Sequence, residues 1–196
     1  EKSLAQVGRF PWSRNIQADL VTRLTRDYKA GAVGFDISFP EADNSSGYKV
    51  LEKLAREELK DVPGLKPQLA ALEARMDYDG LFAKAMEGQP VVLGYSVSER
   101  HTKGMLPAPA FTAAQLNGRE IAAYEPDGYE ANIARLQQAA SGAGIFTALT
   151  DADGVIRSST LLQRIGDGYY PSLSLATAAV YLKASAIFPS FEQTAD

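Results

Sequence analysis

Five acidic side chains in two short stretches are the first candidates for chemistry: Asp36, Glu41 and Asp43, then Asp77 and Asp79. Asp36 falls inside the apolar run Ala32-Val33-Gly34-Phe35-Asp36-Ile37-Ser38-Phe39. A carboxylate buried in a strand must find a cation or hydrogen-bond donors, because an unpaired charge in a core is costly. Arg9, Arg14 and Arg157 are its candidate partners. The other reading gives Asp36 a ligand, since in open α/β sheets ligands bind beyond the carboxyl ends of the strands. Carboxylate oxygens also suit calcium or magnesium, so Asp36, Glu41, Asp43 and Asp79 form an alternative divalent-cation set. Trp12, in Gly8-Arg9-Phe10-Pro11-Trp12, is either a plug over the core or a ligand platform.

Other chemistries are missing from the sequence. There is no cysteine, so thiol catalysis, disulfides and cysteine-ligated zinc are excluded. A single histidine, His101, excludes a multi-histidine metal site within one chain. Gly94-Tyr95-Ser96-Val97-Ser98 lacks the last glycine of a nucleophile elbow. Neither Gly31 and Gly34 nor Gly142 and Gly144 lie between a strand and a following helix, as a phosphate-cradling loop requires. Asp151-Ala152-Asp153-Gly154 opens like a calcium loop, but Val155, Ile156 and Leu162 stand where that loop needs oxygens and a glycine. A tight turn between antiparallel strands is the reading taken.

Several elements must position these residues. Ser13 can cap a helix whose apolar face is Ile16, Leu20, Leu24 and Tyr28, with Val21 beside it, ending at Gly31. Ala32 to Phe39 reads as a buried strand closed by Pro40. Residues 44–76 read as a helical hairpin broken at Pro63-Gly64, with narrow apolar stripes and six basic and five acidic residues. Its second helix can continue through Leu81, Phe82, Ala85 and Met86. Pro90 to Val97 is a second buried strand, and Tyr129, Ile133, Leu136 and Ala140 mark a helix. Gly144 to Thr150 and Val155 to Ile165 read as strands joined at the Asp-Gly turn, and Ser172 caps a last helix. The expected fold is α/β, a mostly parallel sheet with flanking helices, a C-terminal antiparallel hairpin and the inserted helical hairpin, in one domain over 1–196.

The chain has 196 residues, 45 % hydrophobic and 22 % charged, and a net charge of −4. A chain of this length buries about 70 % of its unfolded surface, enough for one core without staples. The acidic balance argues against general nucleic-acid binding. Leu173 to Phe188 is the nearest approach to a membrane span, and Ser174, Thr177, Lys183 and Ser185 make it too polar and too short.

Four stretches, in order, resemble the second type of CHASE domain, a sensory extracellular domain associated with cyclases and histidine kinases. They are Lys2-Ser3-Leu4 with Gly8-Arg9-Phe10-Pro11-Trp12; Gly31 to Phe39 with Glu41 and Asp43; Tyr129, Asn132, Leu136, Ala139-Ala140 and Gly144; and Asp151-x-Asp153-Gly154-Val155-x-Arg157 with Tyr170-Pro171-Ser172-Leu173. The resemblance implies an extracytoplasmic, non-catalytic input domain of a bacterial transmembrane receptor. It also implies a small-molecule signal, the receptor's own membrane helices and a cyclase or kinase output. No cofactor is implied. Arg9, Trp12, Asp36, Glu41, Asp43, Asp79 and Arg157 are the ligand candidates. A soluble binding protein or enzyme using the acidic cluster is the alternative, and residues 44–76 are either packed on their own domain or a homodimer arm.

Overall fold

The computed structural model describes residues 6–149 and 151–191. Lys2-Ser3-Leu4 and Thr150 therefore lie outside the described residues. Helix α1 (Arg14–Thr22) continues into a π-turn (Arg23–Asp27) and leads to strand β1 (Val33–Phe35). Helices α2 (Tyr48–Arg56), α3 (Leu65–Met76) and α4 (Tyr78–Met86) precede the long strand β2 (Val91–Ser98). Short strands β3 (Thr102–Lys103), β4 (Phe111–Thr112) and β5 (Gly128–Glu130) follow. Then come α5 (Ala134–Ala139), β6 (Gly142–Ile145), β7 (Leu162–Ile165), β8 (Gly168–Pro171) and α6 (Leu173–Leu182).

Strand β2 is central because it is apolar throughout its first half, as a strand covered on both faces must be. It pairs in parallel with β1 on one side and β6 on the other, and its second half pairs antiparallel with β5. A small second sheet has the order β4-β8-β7. The fold is thus mixed α/β with a mostly parallel main sheet, and β7 and β8 form the C-terminal antiparallel hairpin. No helix among the described residues is long and apolar enough to cross a membrane.

The faces of the main sheet differ. Phe35, Val91, Leu93, Tyr95, Ala143 and Ile145 join Val21, Phe39, Phe82, Met86 and Leu136 in the principal core. Phe35, Phe39 and Phe82 meet edge to face, with centroids 5.3–6.1 Å apart. On the opposite face α6 lies on Gly34, Gly142 and Gly144. A Cβ built on Gly144 would sit 2.5 Å from Leu173 Cα, which is backbone on backbone.

Several sequence expectations are corrected. The α1 face turned inward is Arg14, Gln17, Ala18 and Val21, while Leu20 and Tyr28 are exposed. Arg14 goes inward because the distant Asp79 carboxylate and the Glu41 carbonyl meet its guanidinium there. Strand β1 ends at Phe35, so Asp36 lies just beyond its carboxyl end and is exposed, not buried. Tyr129 belongs to β5 rather than to a helix, because it pairs with Val97 at the end of β2. The chain from 151 to 154 does turn, with Gly154 N donating to Asp151 O at 2.8 Å. That turn joins no pair of strands: only Leu162–Ile165 of the expected second strand is extended, and it pairs with β8. The second hairpin helix stops at Asp77, whose carboxylate accepts Gly80 N at 3.0 Å and caps a separate helix, α4. Residues 44–76 do form a helical hairpin, α2 and α3, in which only Ala55 and Leu69 are buried.

Candidate ligand crevice

Helices α1, α4 and α6 all begin at the carboxyl edge of the parallel sheet, where two crevices open. The first, about 450 Å³, lies on the α6 side. Asp36 enters it from the end of β1, Thr147 from beyond β6, and Ser159 and Thr160 from the loop before β7. Ser172, Ser174 and Thr177 line it from the first turns of α6.

This wall forms because Ser172 holds the extended N-cap conformation and its Oγ accepts Leu175 N at 3.2 Å, as the sequence predicts. Leu173 and the serines beside it then face the glycine positions of β1 and β6. The hydroxyls are only partly engaged: Thr147 Oγ1 accepts Val97 N at 3.0 Å, and Ser172 and Ser174 share one bond at 3.0 Å. Thr160 Oγ1 accepts Gln163 Nε2 at 3.1 Å, while the buried Gln163 Oε1 has no partner among the described residues. Asp36 makes no ion pair or side-chain hydrogen bond among the described residues, so none of the three arginines neutralises it. Its acceptor oxygens and the remaining hydroxyl valences can fix a small polar molecule bearing a cation or several hydroxyls.

The second crevice, about 350 Å³, lies on the α1 side and includes Trp12, Arg14, Glu41 and Asp43. Here the acidic cluster is structural. The buried Arg14 guanidinium pairs with Asp79, donates to Glu41 O and lies 5.2 Å over the Phe39 ring. Asp43 Oδ2 accepts the Arg14 amide at 2.7 Å and Oδ1 accepts the Ser45 amide at 2.8 Å. The amide of Asp43 in turn donates to Asp79 at 3.1 Å. Asp43, not Ser13, therefore satisfies the first amide of α1; Ser13 occupies the cap position without a side-chain cap bond. Burial alone would raise the Asp43 carboxyl, but the Ser45 and Arg14 donors and the Arg14 charge outweigh it and hold the group below its ordinary value. Glu41 is exposed and bonded to Lys103 at 2.6 Å, and that bond and charge lower its pKa.

The structure thus gathers Trp12, Glu41, Asp43 and Asp79 around Arg14 and leaves three candidates apart. Asp36 lines the other crevice. Arg9 is exposed in the N-terminal segment. Arg157 is held on the surface by Asp151 at 2.8 Å and Asp153 at 2.7 Å, two residues from Ser159. Trp12 Nε1 donates to Gly8 O at 3.0 Å, which folds its loop on itself. No group of three or more His, Cys, Asp or Glu among the described residues is placed to hold a metal ion. The four carboxylates of the divalent-cation set do not converge: Asp79 and Asp43 are bound to Arg14 and backbone amides, and Asp36 lines the other crevice. His101 is a surface residue bridging Ser98 and Glu130.

Sequence reasoning missed the hydroxyl wall. Its one legible signal is the run Ser158-Ser159-Thr160. It also passed over the buried role of Asn132, whose Oδ1 accepts Phe39 N at 2.8 Å and whose Nδ2 donates to Gly94 O at 3.1 Å. Asn132 thereby ties the tail of β1 to β2 and to the start of α5.

No curated protein and no solved structure matches the chain. A family model described as the CHASE2 domain matches residues 1–195. With the match running over residues 1–195, the protein belongs to the CHASE2 family of sensory extracellular domains.

Proposed function

We propose that this domain is the extracytoplasmic input of a transmembrane receptor, that it is non-catalytic, and that a small polar molecule bound in the Asp36 crevice is its signal. The observation that carries the reading is the Asp36 carboxylate, unpaired among the described residues, facing the hydroxyl-lined first turns of α6 across the carboxyl edge of the sheet. The receptor setting, with membrane helices and a cyclase or kinase output, rests on the family.

The proposed mechanism takes α6 as the wall that responds. One side of the crevice is β1 and the end of β6; the other is α6, which approaches the sheet closely over Gly34, Gly142 and Gly144. A ligand that bridges Asp36 to Ser174 or Thr177 favours one position of α6 over another. It shifts that equilibrium only by its difference in affinity for the two positions. Packed helices accommodate such changes by small sliding movements.

The test is a thermal-shift screen with amines, amino acids and sugars, followed by titration calorimetry on any compound that stabilises the domain. A ligand present at 100 times its Kd adds about 2.7 kcal/mol of stability. Asp36→Asn and Ser174→Ala should abolish that stabilisation, and Trp12→Ala should leave it intact. A compound that binds Asp36→Asn and the unaltered chain equally places the site elsewhere.

A further inference from the structure

The opposite, amino edge of the sheet is where helices end. The π-turn after α1 stops at Tyr28, α4 stops before Gly88-Gln89-Pro90, and α6 stops at Leu182. The loop that follows α1 meets the end of α6: the Tyr181 ring covers Gly31, where a Cβ would fall 2.7 Å from Cε2. Ala30, Gly31, Lys183 and Ala184 share one groove.

Two classes of side chain crowd this edge. Tyr28, Tyr181 and Leu182 are 79 %, 64 % and 71 % exposed. Arg23, Arg26, Lys29 and Lys183 are exposed beside them. None of these four cations makes an ion pair among the described residues. Asp27 and Glu87 are carboxylates at the same edge, which leaves it cationic in a chain whose net charge is −4. Lys29 and Lys183 both adopt left-handed backbone, at φ 55° and 53°. That conformation usually falls to glycine at helix ends. Two helices therefore stop on a lysine where glycine would be less strained.

Helix dipoles favour cations at helix ends, which accounts for the charges alone. It does not account for three large apolar side chains turned to solvent among them. Aromatic rings and aliphatic residues ringed by Lys and Arg are the composition of a surface that rests in the interface of an anionic bilayer. A second copy fits less well: a two-fold contact sets a patch against itself, opposing Arg26 and Lys29 with the same cations.

We infer that the amino edge, formed by the ends of α1 and α6, is a docking surface for an anionic lipid bilayer. Tyr28, Tyr181 and Leu182 enter the headgroup layer, and Arg23, Arg26, Lys29 and Lys183 meet lipid phosphates. This surface lies at the far end of the sheet from the Asp36 crevice, so its test does not depend on finding a ligand.

The experiment is co-sedimentation of the full chain with extruded vesicles at low ionic strength. One set is phosphatidylcholine alone, and the other carries about 30 % phosphatidylglycerol to supply a negative surface potential. Binding to the second set only is expected, with release near 0.5 M salt, roughly where screening shortens to a few ångströms. Arg26→Gln and Lys29→Gln should each lower partitioning about fivefold. Tyr28→Ser and Leu182→Ser should lower it with no change in charge. Lys60→Gln and Lys66→Gln, in the helical hairpin, should not. Thermal melting of each variant shows that it is folded. Equal binding to both vesicle sets, no binding by the unaltered chain, or insensitivity to the four edge variants overturns the proposal. So does light scattering that shows a dimer lost on Tyr28→Ser or Leu182→Ser.

Discussion

On one side of the β1–β2–β6 sheet, Phe35, Leu93 and Tyr95 drive into Phe39, Phe82, Met86 and Val21; on the other, α6 lies over Gly34, Gly142 and Gly144, with the side chains of Val92 and Val180 beside the Gly142 position and backbone meeting backbone at Gly144. The first contact depends on volume present. It is held by apolar surface removed from water, and interlocked side chains give it one register. The second depends on volume absent. Close approach of backbones at Gly144 supplies dispersion contacts there. Helix α6 is also apolar on most sides yet buries only Ala176 fully, whereas a helix that is apolar all round is ordinarily buried. The Asp36 crevice sits on the seam of the second contact, where the proposed function puts the response to a ligand.

The largest effect expected is from Phe82→Ala, which leaves a cavity between Phe35 and Phe39. A loss of about 4 kcal/mol is expected, read from the midpoint of urea unfolding. Next is Gly144→Ala, whose methyl would meet Leu173 Cα at 2.5 Å and Ser172 O at 2.6 Å. Backbone cannot rotate away, so about 3 kcal/mol is expected, at the upper end for overpacking. Gly34→Ala meets only the tips of Thr177 and Leu173, at 2.9 Å and 3.9 Å, and should cost about 1 kcal/mol. If Gly144→Ala proves cheaper than Gly34→Ala, α6 is not seated on backbone and the contrast between the faces collapses.

The smallest effect is a pH dependence on the α1 side. Asp43 holds the first amide of α1, and its folded pKa lies below the ordinary 3.8. A depressed carboxyl stabilises the fold fully above its unfolded pKa, and that contribution is lost as pH falls through the folded value. Melting temperature followed from about pH 5 to pH 2.5 should fall less steeply in Asp43→Asn than in the unaltered chain. Parallel curves would remove Asp43 as the group that holds α1.

What was legible in the sequence follows local rules. The apolar run of β2, the Ser172 cap and the break at Pro63-Gly64 each depend on neighbours within a few residues. The α1 face was misread because Arg14 and Gln17 turn inward while Leu20 stays at the surface. The Arg14 partner, Asp79, is 65 residues away, and no periodicity records such a meeting. Tyr129 has helical spacing to Ile133 and Leu136, yet the free edge at the end of β2 draws it into a strand. Asp36 looked buried because its neighbours are apolar, but β1 is only three residues long and ends before it. The glycine face was illegible for another reason: hydrophobic patterning reports side chains, and this contact is made by their absence.

The family, the α/β order, the absence of thiol and multi-histidine chemistry, and the acidic residues around the end of β1 are all readable from the amino-acid sequence. These are properties of residue type and local spacing. Which carboxylates are held in bonds, and which stands unpaired among the described residues, depends on the folded arrangement. Arg14 reaches Asp79 and the backbone carbonyl of Glu41, its amide meets Asp43, and Asp36 is left facing hydroxyls from α6. That division comes from contacts between segments far apart in the chain, where partners are assigned by geometry rather than by sequence.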